Sequence, residues 1–188
     1  MWIVSSQGGD ARPLEKTDAS DTNNVLAWSP SRDVVYPARD LHNLHRLNVE
    51  TQEEKLLFPV DSKGWLGKPV FSPDGKRIAI LWNQAPTQGT WLITLDTLST
   101  NFLFPHIWPF GWSSDGLLIY GFDVYDGRDI LQLDPVNSKK TKSIISLPGI
   151  INAATVSPDG QRIIVSVGER KSDVWILKDF DPQAAQAQ

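Results

Sequence analysis

The sequence predicts an all-β fold assembled from repeated modules, and three observations support that prediction. One short phrase recurs, since FSPDGKRIAI at 71–80 returns in altered form as WSSDGLLIY at 112–120 and VSPDGQRIIV at 156–165. Apolar and polar residues alternate with a period of two, which is typical of strands. Glycine and proline interrupt the chain roughly every 8 to 12 residues, and no long stripe of period 3.6 indicates a helix.

A nearly constant interval separates the repeats. The serines that mark them are Ser29, Ser72, Ser113 and Ser157, which lie 43, 41 and 44 residues apart. A period in the forties indicates a repeat array. Four antiparallel strands in about 43 residues match one blade of a β-propeller. The sequence therefore predicts a β-propeller with about four blades of four antiparallel strands.

Each repeat places its elements in the same order. A large apolar residue ends the first strand, and a Ser-Pro-Asp-Gly turn leads into an apolar second strand. In that turn proline sets the first bend, aspartate can bond the local backbone, and glycine accepts a positive φ. A polar loop then leads to the third strands, predicted at LHRLNV, WLITLD, ILQLDP and VWILKD. Fourth strands are predicted at EKLLFP, TNFLFP and KSIISLP.

The repeats also predict where the blades begin and end. Full blades are expected at 20–60, 61–105 and 106–148, a final incomplete blade at 149–181, a partial blade at 1–19 and a disordered tail at 182–188. MWIVSS resembles a third strand and DARPLEK a fourth, so residues 1–6 and 174–179 compete for one role in a closed four-bladed ring. Either DARPLEK closes the last blade and MWIVSS is displaced, or the chain is the C-terminal part of a larger ring. We expect the second arrangement, whose open edges would favour self-association.

Three groups of residues resemble a known repeat. The aromatic-SPDG-K/R-apolar phrase, the D-apolar-W-apolar third strand and GGDARPL are similar to the propeller repeat of TolB and its relatives. Similar WD40-like repeats occur in the propellers of prolyl-oligopeptidase-type peptidases and in sensory propellers of bacterial Ser/Thr kinases and winged-helix regulators. The resemblance covers residues 1–181. It departs in the first unit, which has SPSRD, and in the third, where Ser114 replaces proline.

The resemblance implies a binding scaffold without a reaction of its own. We expect a non-catalytic propeller that binds a protein or peptide as the sensory or scaffold part of a bacterial envelope or signalling protein. One alternative is a fragment of the gating propeller of an S9-type peptidase. Another is a propeller that binds a small ligand or glycan. The resemblance favours a periplasmic location, although MWIVSSQGGD lacks the features of a signal peptide.

Composition excludes several other classes. The net charge is −4 and the Lys and Arg residues are scattered, so we expect no direct contact with nucleic acid. No apolar run reaches the roughly 18 residues of a membrane span. The absence of cysteine excludes disulfides and thiolate metal sites.

No motif predicts a catalytic residue, a metal site or a cofactor. GWSSDG has Asp115 where the nucleophile elbow requires glycine. His42 and His45 in HNLH lack a third ligand nearby. The three carboxylates of DVYDGRD do not have the spacing of a calcium loop, and a hydrogen bond at the strand start explains Asp129 as well.

Five residues are candidates for contact with a partner. Trp65, His106 and Trp108 lie in connections between blades, and Asp126 and Arg128 lie in the polar loop DVYDGRD. In propellers such loops gather on one face around the central channel, where an exposed aromatic side chain could be a binding hot spot. The alternative is that each tryptophan caps its own blade. By their place in the period, Trp28 and Trp112 are predicted to pack between blades.

Overall fold

A computed structural model describes residues 2–14, 25–38, 42–58, 64–84, 86–137 and 141–168. Within these ranges the chain forms strands and turns, with no helix. The predicted all-β fold is therefore confirmed. No helix of the described residues has the length and hydropathy that crossing a membrane requires.

The strands form one short pair and four larger sheets, which we call the N-terminal hairpin and blades I to IV. The N-terminal hairpin contains β1 (Trp2–Ile3) and β2 (Arg12–Pro13). Blade I contains β3 (Ala27–Trp28), β4 (Val34–Pro37), β5 (Leu44–Leu47) and β6 (Glu54–Phe58). Blade II contains β7 (Gly64–Leu66), β8 (Val70–Phe71), β9 (Arg77–Gln84), β10 (Thr87–Thr94) and β11 (Ser99–Pro105).

Blade III contains β12 (Ile107–Trp112), β13 (Ile119–Asp123), β14 (Asp129–Leu133) and β15 (Thr141–Ser146). The described part of blade IV is β16 (Ile150–Val156) and β17 (Ile163–Gly168). The third strand predicted at 174–179 and the tail at 182–188 lie outside the described residues. The predicted blade boundaries stay predictions.

Every sheet is an up-and-down antiparallel meander. In blade II the first strand is divided, because β7 and β8 both pair with β9 and are separated by residues 67–69. Since neighbouring strands run in opposite directions, the loops alternate between two ends of the array. We call the end with the turns at 72–77, 113–118 and 157–162 the turn face. The opposite end, with the second-to-third-strand loops and the links between blades, is the connection face.

The turns are held by one serine hydroxyl each. Ser72 Oγ donates to Asp74 Oδ1 at 2.6 Å and accepts the Arg77 N–H at 3.0 Å. Ser113 and Ser157 repeat this pattern in blades III and IV. The serine hydroxyl is the main reason why the pKa of Asp74 lies below its ordinary value, and the Lys76 N–H adds to the effect.

The apolar core lies between the blades. Ile78 and Ile80 of β9 pack with Val35 and Leu44 of blade I. Ala79, between them in the sequence, packs with blade III. Successive residues of one strand therefore face different neighbours, as the period of two requires. The same alternation joins the N-terminal hairpin to blade I and blade III to blade IV.

The two tryptophans that were predicted to pack between blades have different environments. Trp112 is only 5% exposed because blade II covers it, which confirms the prediction for that residue. The prediction for Trp28 is wrong, since its side chain is 59% exposed. Trp28 is exposed because the element next to blade I, the described N-terminal hairpin, has only two strands. This hairpin covers Val34 and Tyr36 more completely than it covers Trp28.

Candidate functional site

The link between blades II and III consists of one residue on the connection face. His106 joins Pro105 of β11 to Ile107 of β12 in the left-handed conformation, with φ of 58°. Histidine is among the residues enriched in that region. The His106 N–H donates to Gln88 O at 3.0 Å, and its carbonyl accepts the Val124 N–H at 2.8 Å. The link is thus tied to the second-to-third-strand loops of both blades.

Trp65 and Trp108 are brought together across this boundary. Their ring centroids are 6.3 Å apart, and Trp108 also stacks on Phe122 at 6.3 Å and 11°. Both indoles are half-buried. They bridge blades II and III and keep part of their surface open to solvent. Their role as partner contacts stays a prediction.

Tyr125 extends this aromatic surface, although it was not among the sequence candidates. Its side chain is 69% exposed, and its ring centroid is 5.0 Å from that of His106. Its hydroxyl donates to Gln88 Oε1 at 3.3 Å. The available signal was an aromatic residue in the middle of an otherwise polar loop, DVYDGRD.

Asp126 and Arg128 lie in the same loop. Arg128 Nε and Asp126 Oδ1 are 3.8 Å apart, and both side chains are exposed, so the ion pair adds little stability. Asp123 Oδ1 accepts the N–H groups of Tyr125 at 2.7 Å and Asp126 at 3.0 Å, which fixes the loop. Both charges therefore stand on a fixed loop at the rim of the connection face.

A cleft of about 540 Å³, which we call the central cleft, is one concave feature of the described residues. Its walls come from Val25 before β3, Lys68 in the divided strand of blade II, Phe110 of β12 and Asn152 of β16, with Trp108 beside them. Because the first strand, or its approach, from every blade contributes, the cleft lies on the inner side of the array.

The first strands are irregular where they line the central cleft. Phe110 is an extra residue opposite Gly121 and Tyr120, and Asn152 is an extra residue opposite Val167 and Ser166. In blade II, residues 67–69 interrupt the strand at a similar depth. Bulges of this kind redirect side chains and are frequent beside functional sites. Here they supply an aromatic ring and an amide, with the exposed ammonium of Lys68 nearby.

The other motifs that the sequence raised lie elsewhere. Ser113 is in a hairpin turn, where its hydroxyl donates to Asp115 at 2.5 Å. His45 Nδ1 is 2.6 Å from Glu54 Oε1, which also accepts the Tyr36 hydroxyl at 2.5 Å. Within the described ranges, no three or more His, Asp or Glu side chains come close enough to hold a metal.

No family model and no curated protein matches the sequence. Solved structures do match, among them TolB from Acinetobacter baumannii, with a TM-score of 0.69 and 16% identity over 92% of this chain and 44% of that one. A gluconolactonase from Xanthomonas campestris has a TM-score of 0.60 and 14% identity, over 76% and 53% of the two chains. A structure of prolyl endopeptidases has a TM-score of 0.53 and 18% identity, over 72% and 24%.

These likenesses show the fold. The chain has a TolB-like β-propeller fold, as the recurring phrase predicted, with several four-stranded antiparallel sheets as its blades. It spans less than half the length of the Acinetobacter TolB. At these identities the activities of the matched proteins remain statements about those proteins alone.

Proposed function

We propose that this chain is a non-catalytic propeller that binds a protein or peptide, acting as the sensory or scaffold part of a bacterial envelope or signalling protein. The observation that supports it best is the central cleft, which is about 540 Å³ in volume and has walls from blades II to IV and from Val25, just before blade I. Concave sites with apolar walls and a few polar groups are typical ligand sites. We also propose that the chain is part of a larger ring and that open propeller edges would allow it to self-associate.

The chemistry of the cleft favours an extended peptide. Trp108 and Phe110 offer aromatic surface, which contributes strongly to protein interfaces. Lys68 offers an ammonium group, and Asn152 offers both a donor and an acceptor. Such a site suits a ligand with apolar side chains and a carboxylate. Tyr125, Trp65 and the charges of the 123–129 loop would extend the contact across the connection face.

An enzymatic role has less support. Several of the matched structures are named as enzymes, among them a gluconolactonase and prolyl endopeptidases. General acid–base chemistry needs a titratable group within reach of the reacting atoms, and usually a second one. Lys68 is the single ionisable residue among the described residues that line the central cleft. The lining therefore suits recognition better than catalysis.

Selection of peptides from a displayed random library tests the proposal. We expect peptides that bind the wild-type chain and lose about tenfold or more in affinity with Lys68→Ala or Trp108→Ala, because each removes a contact worth over 1 kcal/mol. Leu117→Ala is the matched control, since Leu117 is 66% exposed on the turn face. Failure to select any peptide, or equal affinity for Lys68→Ala and the wild type, would contradict the proposal.

A further inference from the structure

Another cleft, of about 370 Å³, lies between blades I and II at the turn face, and we call it the interblade cleft. Its lining residues fall within 29–96, so two consecutive blades of one chain form it. Ligand pockets have volumes of about 300–1,000 Å³, so a cleft of this size suits a small molecule. Its floor belongs to the apolar core that joins the two blades and includes Val35, Leu57, Phe71 and Leu95.

This boundary lacks a contact that the next boundary has. Between blades II and III, Arg77 Cζ lies 4.8 Å from the centroid of the Trp112 ring, and Arg77 Nη2 donates to Gly116 O at 2.9 Å. The residue of blade I that corresponds to Arg77 is Asp33, because the carbonyl of each accepts the N–H of its turn serine. Phe71 corresponds to Trp112, since each directly precedes that serine.

The short side chain of Asp33 explains why the boundary stays open. Its carboxylate accepts hydrogen bonds from Ser31 and Arg46, which both belong to blade I. No guanidinium therefore crosses from this position to blade II, as Arg77 crosses to blade III. The space beside Phe71 is left as the interblade cleft.

The Arg46 guanidinium is fixed on the blade I side of the cleft. Asp33 Oδ2 accepts the Arg46 Nε–H at 2.6 Å and lies 2.5 Å from Nη2, and the Asp33 side chain is only 2% exposed. The Arg46 side chain is 49% exposed, and its Nη1 makes no hydrogen bond with the described residues. Guanidinium groups bind carboxylates through such N–H donors.

Two carboxylates line the blade II side. Asp74 Oδ1 accepts the Ser72 hydroxyl at 2.6 Å and the Lys76 N–H at 3.1 Å, which holds the side chain in place. Asp74 Oδ2 makes no hydrogen bond within the described ranges. The same holds for the carboxylate of Asp96, in the turn between β10 and β11. Both side chains therefore have acceptor oxygens available to an ammonium group.

The two sides of the cleft are also fixed relative to each other. A Cβ on Gly75 would lie 3.0 Å from Pro30 Cγ, so the turns of blades I and II contact each other at the cleft. A site whose walls are already in place binds a ligand at a lower cost in conformational entropy.

The charges select the class of ligand. Because Asp33 already offsets the charge of Arg46, Asp74 and Asp96 leave the charged residues of the cleft with an excess of negative charge. A carboxylate alone would add to that excess, and an amine alone would leave Arg46 Nη1 without a partner. A molecule that has both a carboxylate and an ammonium, with an apolar body, matches both sides and the floor.

We propose that the interblade cleft binds a free α-amino acid with an apolar side chain. The carboxylate of the amino acid accepts from Arg46, and its ammonium donates to Asp74 and Asp96. Its side chain lies on the apolar floor beside Phe71 and Leu95. This site is separate from the central cleft, so it does not depend on the proposal that the chain binds a peptide.

NMR titration of the ¹⁵N-labelled full chain with L-valine, L-leucine, L-methionine and L-phenylalanine tests the proposal. We expect saturable binding of at least one of them, with shifts of the backbone amides of Ser31, Phe71, Gly75 and Asp96. The amide of that amino acid, which has no carboxylate, and the matching acid without the amino group should each bind about tenfold or more weakly, because each loses charge-assisted hydrogen bonds.

A substitution on the blade II side gives the matched comparison. Asp96→Asn should weaken binding about fivefold or more, because the ammonium loses a charged acceptor. Asp10→Asn is the control, since Asp10 is exposed in the N-terminal hairpin away from the cleft. Arg46→Ala is less informative because it would leave the buried Asp33 carboxylate without its guanidinium partner.

Four results would each overturn the proposal. They are the absence of saturable binding by all four amino acids, equal affinity for the amide or the deaminated acid, equal affinity in Asp96→Asn and the wild type, and shifts confined to residues outside the interblade cleft. Circular dichroism confirms that both aspartate variants keep the fold.

Discussion

At the scale of single residues, one serine side chain holds each of the turns at 72–77, 113–118 and 157–162 by donating one hydrogen bond and accepting another. Ser72 is 1% exposed, and its hydroxyl both donates to Asp74 and accepts from the Arg77 backbone. We expect Ser72→Ala to lower the free energy of unfolding by about 1–3 kcal/mol, because the partly buried N–H of Arg77 loses its acceptor. Urea denaturation measures this. Ser143→Ala, exposed on β15, should change stability by less than about 0.5 kcal/mol, and equal losses in the two variants would contradict the account.

The turn aspartates make the free energy of unfolding depend on pH. The pKa values of Asp74, Asp115 and Asp159 are lowered, first by the serine hydroxyl and then by a backbone N–H. A lowered pKa in the folded chain gives stability that is fully present above the ordinary value of 3.8 and is lost as the pH falls through the lowered folded value.

We therefore expect the free energy of unfolding to fall below about pH 4. The triple variant with asparagine at these three positions should lose less stability over the same interval, because asparagine takes up no proton. Chemical denaturation at a series of pH values gives the comparison. If the free energy of unfolding changed with pH in parallel for the variant and the wild type, these carboxylates would not cause the loss of stability in acid.

The glycine position of the turn gives a matched pair of substitutions. Gly75 has φ of 69° and Arg32 has φ of 67° in the equivalent place. A left-handed non-glycine residue costs about 1–2 kcal/mol, and glycine costs about 0.5–1 kcal/mol in chain entropy, so Arg32→Gly should stabilise the fold by about 0.5 kcal/mol. Gly75→Ala should destabilise it, since its Cβ would also press on Pro30. Thermal unfolding measures both, and a change of the same sign in the two variants would refute this reasoning.

At the scale of elements, the stability of a blade depends on which neighbour covers it. Trp112 is covered by blade II and donates to Val70 O, so Trp112→Phe should lower the free energy of unfolding by about 2 kcal/mol through the lost hydrogen bond and contact area. Trp28→Phe is the matched control at the exposed, equivalent position and should have an effect below about 0.5 kcal/mol in dilute protein. A larger effect at Trp28 than at Trp112 would mean that the two edges were assigned wrongly.

Because burial depends on the neighbouring blade, only the local features of each blade could be predicted from the sequence. Turn chemistry and alternation are local, so the hairpins around Ser72, Ser113 and Ser157 were predictable. The burial of Trp28 was not, because it depends on a neighbouring blade rather than on the repeat phrase. Nor could the period show that Trp65 and Trp108 touch, or that Tyr125 lies beside His106, since such contacts join loops of different blades.

The irregularities of the first strands could not be predicted from the sequence pattern either. Residues 67–69 and the extra residues Phe110 and Asn152 break the alternation in the strands that line the central cleft. A period-two pattern gives no signal for the direction of an inserted residue. Pro69 and Pro109 were the available hints, because proline cannot donate to a strand ladder and is frequent at bulges.

At the scale of the whole molecule, the chain is an array of stacked sheets in which each contacts its neighbours. Stability in such an array is approximately a sum over modules and the interfaces between them. The loops of the described modules lie at two ends, and the connection face has the tryptophan pair and Tyr125, with the central cleft next to them on the inner side of the array. The proposed binding site at that face would therefore depend on the way in which the modules are stacked.

NMR chemical-shift mapping with a selected peptide tests most directly whether the peptide binds at the central cleft. We expect the perturbed backbone amides to cluster at Lys68, Phe110 and Asn152, which line the central cleft, and to extend to the exposed Tyr125 in the 123–129 loop. Perturbations confined to the turn-face glycines Gly75, Gly116 and Gly160 would contradict it.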